Sequence, residues 1–334
     1  MKSQKFFKIA LLAGAFVMAV SCERNLGYID DDPEVPGGSV TTIQPPTPDV
    51  FMQIRDGALQ AITQTATFKA EDGIDFTSKG GVKFKINPLS MNLNGSPVTG
   101  NVVLEFIELY KRGDMLVVNK PLMGTSLNGG EKGPLITGGQ FFISVTKDGE
   151  QVTAIYNLEV PSANTGDLNP DMSLWVGEEN ENGDMEWNEV GRKQDTGDIF
   201  VENATYNLWG SIFGWINIDI LYSLPGPKTE IWVKVPDGYN QKNCSVYVVY
   251  KDKPGALAYM DVWDPNKKMF TEHYGLAPIG FNFYVVFVSV QNDGKFIYAV
   301  KDVIIQENKV ITFEKEELKV LDKDALIKLI NELK

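Results

Sequence analysis

The feature that most constrains the fold is an alternation of apolar and polar residues with a period of two, which dominates the chain beyond Val50. Successive side chains of a strand point to opposite faces, so this alternation predicts β-strands. Turn residues that accept positive φ, such as Asn94-Gly95 and Asp148-Gly149, separate the runs. The predicted strands are 82–86, 103–108, 141–146, 214–221, 229–235, 245–250, 281–290, 296–305 and 310–313.

Short strands at close spacing, with no long helical pattern between them, favour antiparallel sheets over parallel sheets with crossover helices. The 334 residues provide enough chain for two domains. We therefore predict an all-β fold of two antiparallel β-sandwich domains, Ig-like or Greek-key, spanning 50–195 and 196–313. The boundary is placed in the polar stretch 191–198, where the alternation stops.

A helical spacing of apolar residues is visible at the C-terminus. Leu326, Leu329, Ile330 and Leu333 recur at this spacing after Asp322, a residue that suits an N-cap. The segment 314–334 is thus predicted to hold a short amphipathic helix. That helix either packs on the second sandwich or binds a partner.

The N-terminus has the pattern of a secretory signal. Lysines at positions 2, 5 and 8 precede the apolar run Ile9–Val20, which is too short to span a bilayer. The run ends in Ala19-Val20-Ser21-Cys22, which resembles the lipobox of bacterial lipoproteins. The resemblance implies cleavage after a signal peptide of residues 1–21 and a membrane anchor on lipidated Cys22. An ordinary secretory peptide that ends next to a cysteine is the alternative.

The segment 22–49 is acidic, rich in Pro and without hydrophobic periodicity, which predicts a flexible linker. Its Asp30-Asp31-Asp32 run resembles the acidic tract of surface-exported lipoproteins of the Bacteroidetes type. That resemblance implies an outer-membrane lipoprotein displayed on the cell surface. If the three acids are only solvated linker residues, the protein faces the periplasm instead.

A second resemblance covers about 70 residues of the predicted first domain. The segments Gly80–Ile86, Asn94–Val102, Gly113–Met115 and Thr137–Phe142 resemble a β-sandwich module of Bacteroidetes-type surface and outer-membrane lipoproteins. This resemblance supports the predicted fold and implies no established activity.

Composition argues against several functions. A formal net charge of -13 with no basic stripe disfavours nucleic-acid binding. The single histidine, His273, follows no Gly-x-Ser-x-Gly elbow and lies in a predicted loop, and Cys244 lies in a strand-like run that predicts a small buried residue. We therefore predict a protein that is not an enzyme, needs no cofactor, and acts by binding or assembly.

One segment matches the ligand spacing of an EF-hand loop, which makes it a weak candidate for calcium. The candidate ligands are Glu178, Asn180, Asn182, Asp184 and Glu189, with Gly183 at the turn position. The first ligand should be Asp, and the flanking segments have the pattern of strands rather than helices. An Asn-Gly hairpin that places Trp175 and Trp187 on one sheet is the alternative.

Tryptophans give a second candidate site. In 229–235, the alternation places Trp232 on the polar face of a strand, and an exposed indole can stack on a sugar ring. Trp209 and Trp215 could extend such a platform. A glycan- or host-ligand-binding receptor that uses these aromatics is therefore the alternative to a subunit of an envelope assembly, unless Trp232 packs under the other domain or the tail helix.

Overall fold

The computed structural model describes residues 43–127, 130–180, 184–190, 197–223, 226–273 and 277–334. The described residues belong to one compact unit. The fold is mostly β, as the alternation predicts, with a short helix at the C-terminus. The helices are α1 (Pro48–Ile62), α2 (Arg112–Val117) and α3 (Lys323–Glu332), with 3-10 turns at Ser162–Asn164 and Lys315–Glu317.

The strands of the first half are β1 (Gln64–Lys69), β2 (Ile74–Thr77), β3 (Lys83–Ile86), β4 (Asn92–Leu93), β5 (Ser96–Pro97), β6 (Asn101–Leu109), β7 (Met123–Thr125), β8 (Lys132–Lys147), β9 (Glu150–Gln151), β10 (Tyr156–Pro161), β11 (Ser173–Glu179), β12 (Met185–Val190), β13 (Gly197–Glu202), β14 (Thr205–Gly210) and β15 (Gly214–Leu221). The strands of the second half are β16 (Lys228–Thr229), β17 (Trp232–Lys234), β18 (Ser245–Tyr250), β19 (Leu257–Tyr259), β20 (Val262–Asp264), β21 (Met269–Thr271), β22 (Ala277–Pro278), β23 (Asn282–Val290), β24 (Phe296–Ile304), β25 (Val310–Thr312) and β26 (Lys319–Leu321).

Four sheets organise these strands. Sheet I has eight strands in the order β1-β6-β8-β15-β11-β12-β7, with β9 paired to β8, and sheet II has the order β13-β14-β10-β3-β2. Sheet III has the order β19-β18-β23-β24-β26, and sheet IV has the order β20-β21-β17-β25. Two-stranded ribbons, β4–β5 and β16–β22, accompany them. Pairing is antiparallel except for the parallel pairs β7–β12 and β17–β25.

Three hydrophobic cores hold these sheets together. The first core lies between sheets I and II, the second core between sheets III and IV, and the junction core between sheets I and III with all three helices. Representative members are Phe84, Phe106 and Ile216 of the first core, Val246, Phe270 and Phe287 of the second core, and Trp215, Val286 and Leu326 of the junction core. Sheets I and III therefore bury both faces.

The helix α1 was not predicted, and it corrects the end of the predicted linker 22–49. Thr47 is its N-cap, its hydroxyl accepting a hydrogen bond from the Val50 amide (3.4 Å), and Pro48 begins the helix. The carbonyl of Pro46 accepts a hydrogen bond from Asn243 Nδ2 (3.2 Å). Residues 43–49 are therefore held against the folded unit, and the rest of the predicted linker lies outside the described residues.

The C-terminal helix is confirmed, and it packs on the body of the protein. Asp322 is the N-cap of α3, and Leu326 and Ile330 are fully buried in the junction core. The neighbouring helix α2 holds it in place: Arg112 Nε donates to the carbonyl of Ile330 (2.9 Å), and the Gly113 amide donates to Asn331 Oδ1 (2.8 Å). The helix thus contacts the first half as well as sheet III.

The strands β13, β14 and β15 lie between residues 197 and 221 and pair within sheets I and II. These residues fall within the predicted second domain, 196–313. Alternation identifies a strand but does not reveal its partner, so a boundary placed where the alternation stops need not coincide with a change of sheet.

Candidate functional site

The predicted lipidation site and signal peptide lie outside the described residues, since Cys22 falls within 1–42. In the ranges that the structure describes, no helix has both the length and the apolarity that a membrane span requires. Cys244 is fully buried, as predicted, and burial raises the pKa of its thiol well above the usual value.

The EF-hand-like segment forms an antiparallel hairpin of β11 and β12. The Asp184 amide donates to Asn180 Oδ1 (3.0 Å), and the Asn180 amide donates to the carbonyl of Asp184 (2.9 Å), so these two residues extend the pairing of the strands beyond Glu179 and Met185. Asn182 lies outside the described residues. Trp175 and Trp187 both lie in sheet I, as the hairpin interpretation predicts, and both are buried.

The hairpin separates the other calcium candidates. Glu189 lies five residues beyond Asp184, about 16 Å along an extended strand, and its carboxylate accepts hydrogen bonds from Ser173 Oγ (2.8 Å) and the Leu127 amide (3.0 Å). Glu178 lies on β11, across from Glu186. Within the described ranges, no three His, Cys, Asp or Glu side chains are placed to share a metal ion.

The structure places the three tryptophans of the predicted platform on three sheets. Trp215, on sheet I, is 8% exposed and lies in the junction core, with its ring 5.3 Å from that of Phe142. Trp209 lies on sheet II and Trp232 on sheet IV, and both are half-buried. The polar face predicted for Trp232 is confirmed, and Lys267 Nζ lies 3.4 Å from its ring centroid. These residues therefore form no common platform.

A cavity of about 490 Å³ lies where β7 and β8 meet strands of sheet III. We call it the junction cavity. The same two regions are joined by backbone hydrogen bonds, from the Leu122 amide to the carbonyl of Leu257 (2.7 Å) and from the Thr137 amide to that of Gly255 (3.2 Å). Its volume lies within the range of about 300–1,000 Å³ typical of small-molecule sites.

Three aromatic rings form one wall of the junction cavity. Tyr222 and Tyr250 meet edge to face with ring centroids 6.1 Å apart, and Tyr250 and Phe283 do so at 4.9 Å. Burial raises the pKa of the Tyr250 hydroxyl, so this residue stays neutral. Edge-to-face packing fixes the rings and gives the cavity a preformed wall.

A cluster of ionisable residues lines a smaller cavity, which shares Met123, Tyr259 and His273 with the junction cavity. His273 Nδ1 contacts the carboxylate of Asp261, and this hydrogen bond raises the pKa of the imidazole. Asp184 lines the smaller cavity with them, and burial, reinforced by the charge of Asp261, raises its pKa to about 6. Asp184 comes from the first half and Asp261 from the second, so like charges face each other there.

Sequence reasoning did not find the junction cavity. Its wall combines short pieces of β7, β8, β18, β19 and the residues after β15, which are distant in sequence. The one available signal was His273, which the sequence places in a loop. The hairpin of β20 and β21, in which Val262 pairs with Thr271, brings His273 back to Asp261.

A scan against models of known protein families and a search of curated proteins found no match to this chain.

Proposed function

We propose that this protein is a non-catalytic, membrane-anchored envelope lipoprotein that acts by binding, and that the junction cavity is its ligand site. The observation that carries the binding role is the junction cavity itself, which combines buried apolar side chains with exposed charged ones. The lipobox-like ending at Cys22 supports the anchor, and Asp30-Asp31-Asp32 supports display on the surface of a Bacteroidetes-type outer membrane.

The fold behind this proposal is a pair of β-sandwich domains. The first would consist of sheets I and II around the first core, and the second of sheets III and IV around the second core. The chain would pass between them after Leu221 and before Lys228. Antiparallel sheets packed face to face over an apolar core are the defining feature of such domains.

Native mass spectrometry of the full-length chain, extracted gently from its envelope, tests the binding role. Ala277 is half-buried and lines the junction cavity, so the larger side chain of Ala277→Trp should occupy part of that cavity. Ala66, half-buried on β1, offers the same substitution away from the cavity. We expect a bound small molecule on the wild type and on Ala66→Trp, and none on Ala277→Trp. Identical spectra for the three proteins would contradict the proposed site.

Protease treatment of intact cells tests the anchoring and the surface display. We expect degradation of the mature protein without lysis, and release of the Cys22→Ala variant from the membrane fraction. Protection until lysis would place the protein in the periplasm, and unchanged membrane association of Cys22→Ala would refute the lipid anchor.

The receptor based on exposed aromatics is tested with the same method. Trp232 is half-buried beneath Lys267, on a different sheet from Trp209. We therefore expect the Trp232→Ala variant to keep its bound molecule. Loss of that molecule from Trp232→Ala alone would move the ligand site to sheet IV.

A further inference from the structure

The walls of the junction cavity divide by polarity. Its deep lining consists of buried apolar side chains, among them Ile231 (2% exposed), Val248 (5%), Met260 (1%) and Phe283 (3%). A ligand that reaches this lining must present apolar surface to it, because a polar group placed there would lose its hydrogen bonds to water.

The charged residues of the junction cavity lie at its mouth. Glu131, Lys132 and Lys228 are exposed, and Glu272 is half-buried. The two acids balance the two lysines, and His273 is held against Asp261. Because these charges cancel, a head group of single sign would lose part of its hydration at the mouth without a net attraction to offset that loss, whereas a neutral head carries no such cost and a zwitterionic head can pair with both signs.

On the basis of the proposed binding function, we propose that the junction cavity takes an amphipathic ligand, with an apolar chain or ring in the interior and a polar head without net charge at the mouth. The cavity volume of about 490 Å³ lies within the range typical of sites for small molecules. A free saccharide fits less well, since its hydroxyls would face the apolar lining from every side.

Titration calorimetry with surfactants that share one chain and differ in the head tests this proposal. The protein is the full-length chain with Cys22→Ala, so that its own lipid cannot occupy the cavity, and every surfactant is kept below its micelle concentration. The probes are decyl maltoside, decylphosphocholine, decyl sulfate, decyltrimethylammonium, and maltose as the head alone.

We expect decyl maltoside and decylphosphocholine to bind at least about tenfold more tightly than decyl sulfate and decyltrimethylammonium, since a charged head loses hydration at the mouth without a net attraction to offset that loss. Maltose should not bind. Decyl maltoside should bind more tightly than octyl maltoside, by about fourfold for each added methylene. Equal affinity for all four heads, or maltose binding as tightly as decyl maltoside, would overturn the proposal.

Two variants locate the binding. Ala277→Trp should abolish it, whereas the matched Ala66→Trp should leave it unchanged; equal losses in both would overturn the proposal. If Ala277→Trp does not fold, Lys228→Glu at an exposed position serves instead. This change makes the mouth acidic, so it should favour decyltrimethylammonium over decyl sulfate by about tenfold. An unchanged order of the two heads would refute the assigned mouth.

The outcomes also separate this inference from the function on which it rests. A bound molecule in native mass spectrometry, lost from Ala277→Trp, together with no binding of any decyl surfactant, would overturn the amphipathic ligand and leave the binding function standing.

Discussion

Sheets II and III differ in how their strands bury side chains, and the difference explains which parts of the sequence are easy to interpret. In sheet II, β3 and β10 alternate between buried and exposed residues, because one face packs on the first core and the other meets solvent. In sheet III, all six residues of β18 are buried, because one face packs on the second core and the other on the junction core. Strict alternation therefore marks an outer sheet, and a continuous apolar run marks an inner one.

The largest expected effect comes from truncating matched phenylalanines in the two sheets. Phe287 of sheet III is fully buried, with its ring 5.0 Å from that of Tyr239, whereas Phe76 of sheet II is only half-buried. We expect Phe287→Ala to lower the free energy of unfolding by about 3–5 kcal/mol, and Phe76→Ala by roughly half as much. Urea denaturation measures both. Equal losses would remove the distinction between inner and outer sheets.

The junction core provides the next test, through the buried side chain of Arg112. Its guanidinium donates to the carbonyls of Tyr250 (2.9 Å), Ile330 (2.9 Å) and Leu333. Arg112→Ala leaves these acceptors without their donor and should cost about 3 kcal/mol. Hydrogen exchange should rise throughout α3. If α3 keeps its protection, Arg112 is not what holds the helix on the inner sheets.

The ionisable cluster of Asp184, Asp261 and His273 predicts that the stability of the folded protein depends on pH. Asp184 has a pKa of about 6 in the fold, above the value of about 3.9 expected when it is unfolded, so its ionised form costs stability that is regained as the pH falls through 6. His273 has a raised pKa, so its contribution is present below about 6.5 and lost as the pH rises through its folded value. Both groups therefore favour the folded protein at pH 5 over pH 8.

Urea midpoints at pH 5 and pH 8 check this prediction, and Asp184→Asn is the matched variant because it keeps the shape and removes the titration. We expect the wild type to be more stable at pH 5, and the difference to shrink in Asp184→Asn. A wild type that is more stable at pH 8 would show that this cluster does not control the pH dependence. The same would follow if Asp184→Asn kept the full difference between its urea midpoints at pH 5 and pH 8.

The smallest expected effect concerns α1, which packs its buried residues Phe51 and Ala58 in the junction core. Gly57 is an exposed helical residue of α1, and nothing lies within 4 Å of the position that a Cβ would take. Gly57→Ala should therefore raise the free energy of unfolding by about 0.5–1 kcal/mol. Thermal denaturation measures it. A destabilised variant would show that 48–62 is not helical.

The strands were predictable because their pattern is local. The apolar runs 245–250, 281–290 and 296–305 correspond to β18, β23 and β24 of sheet III. The helix α1 was not predictable from apolar spacing, although Thr47-Pro48-Asp49 is a helix-start signal, because its buried face includes Arg55 between Phe51 and Ala58. The C-terminal helix was predictable because Asp322 precedes apolar residues at helical spacing.

The junction cavity was not predictable, because it depends on which strands become neighbours. Nothing in the local sequence indicates that Met123, Val248 and Phe283 line one space. The tryptophan hypothesis failed in part for the same reason: the pattern placed Trp232 on a polar face correctly, but it could not show that Trp215 faces the junction core. Pairing between distant segments is decided by the global fold rather than by local pattern.

Hydrogen exchange of the full-length chain, with and without decyl maltoside, tests most directly the claim that the ligand site lies at the junction cavity. We predict slower exchange in 130–134 and 258–260, which line the junction cavity, and no change in 197–210 of sheet II. Slower exchange centred on Trp209, or no change anywhere, would contradict the claim.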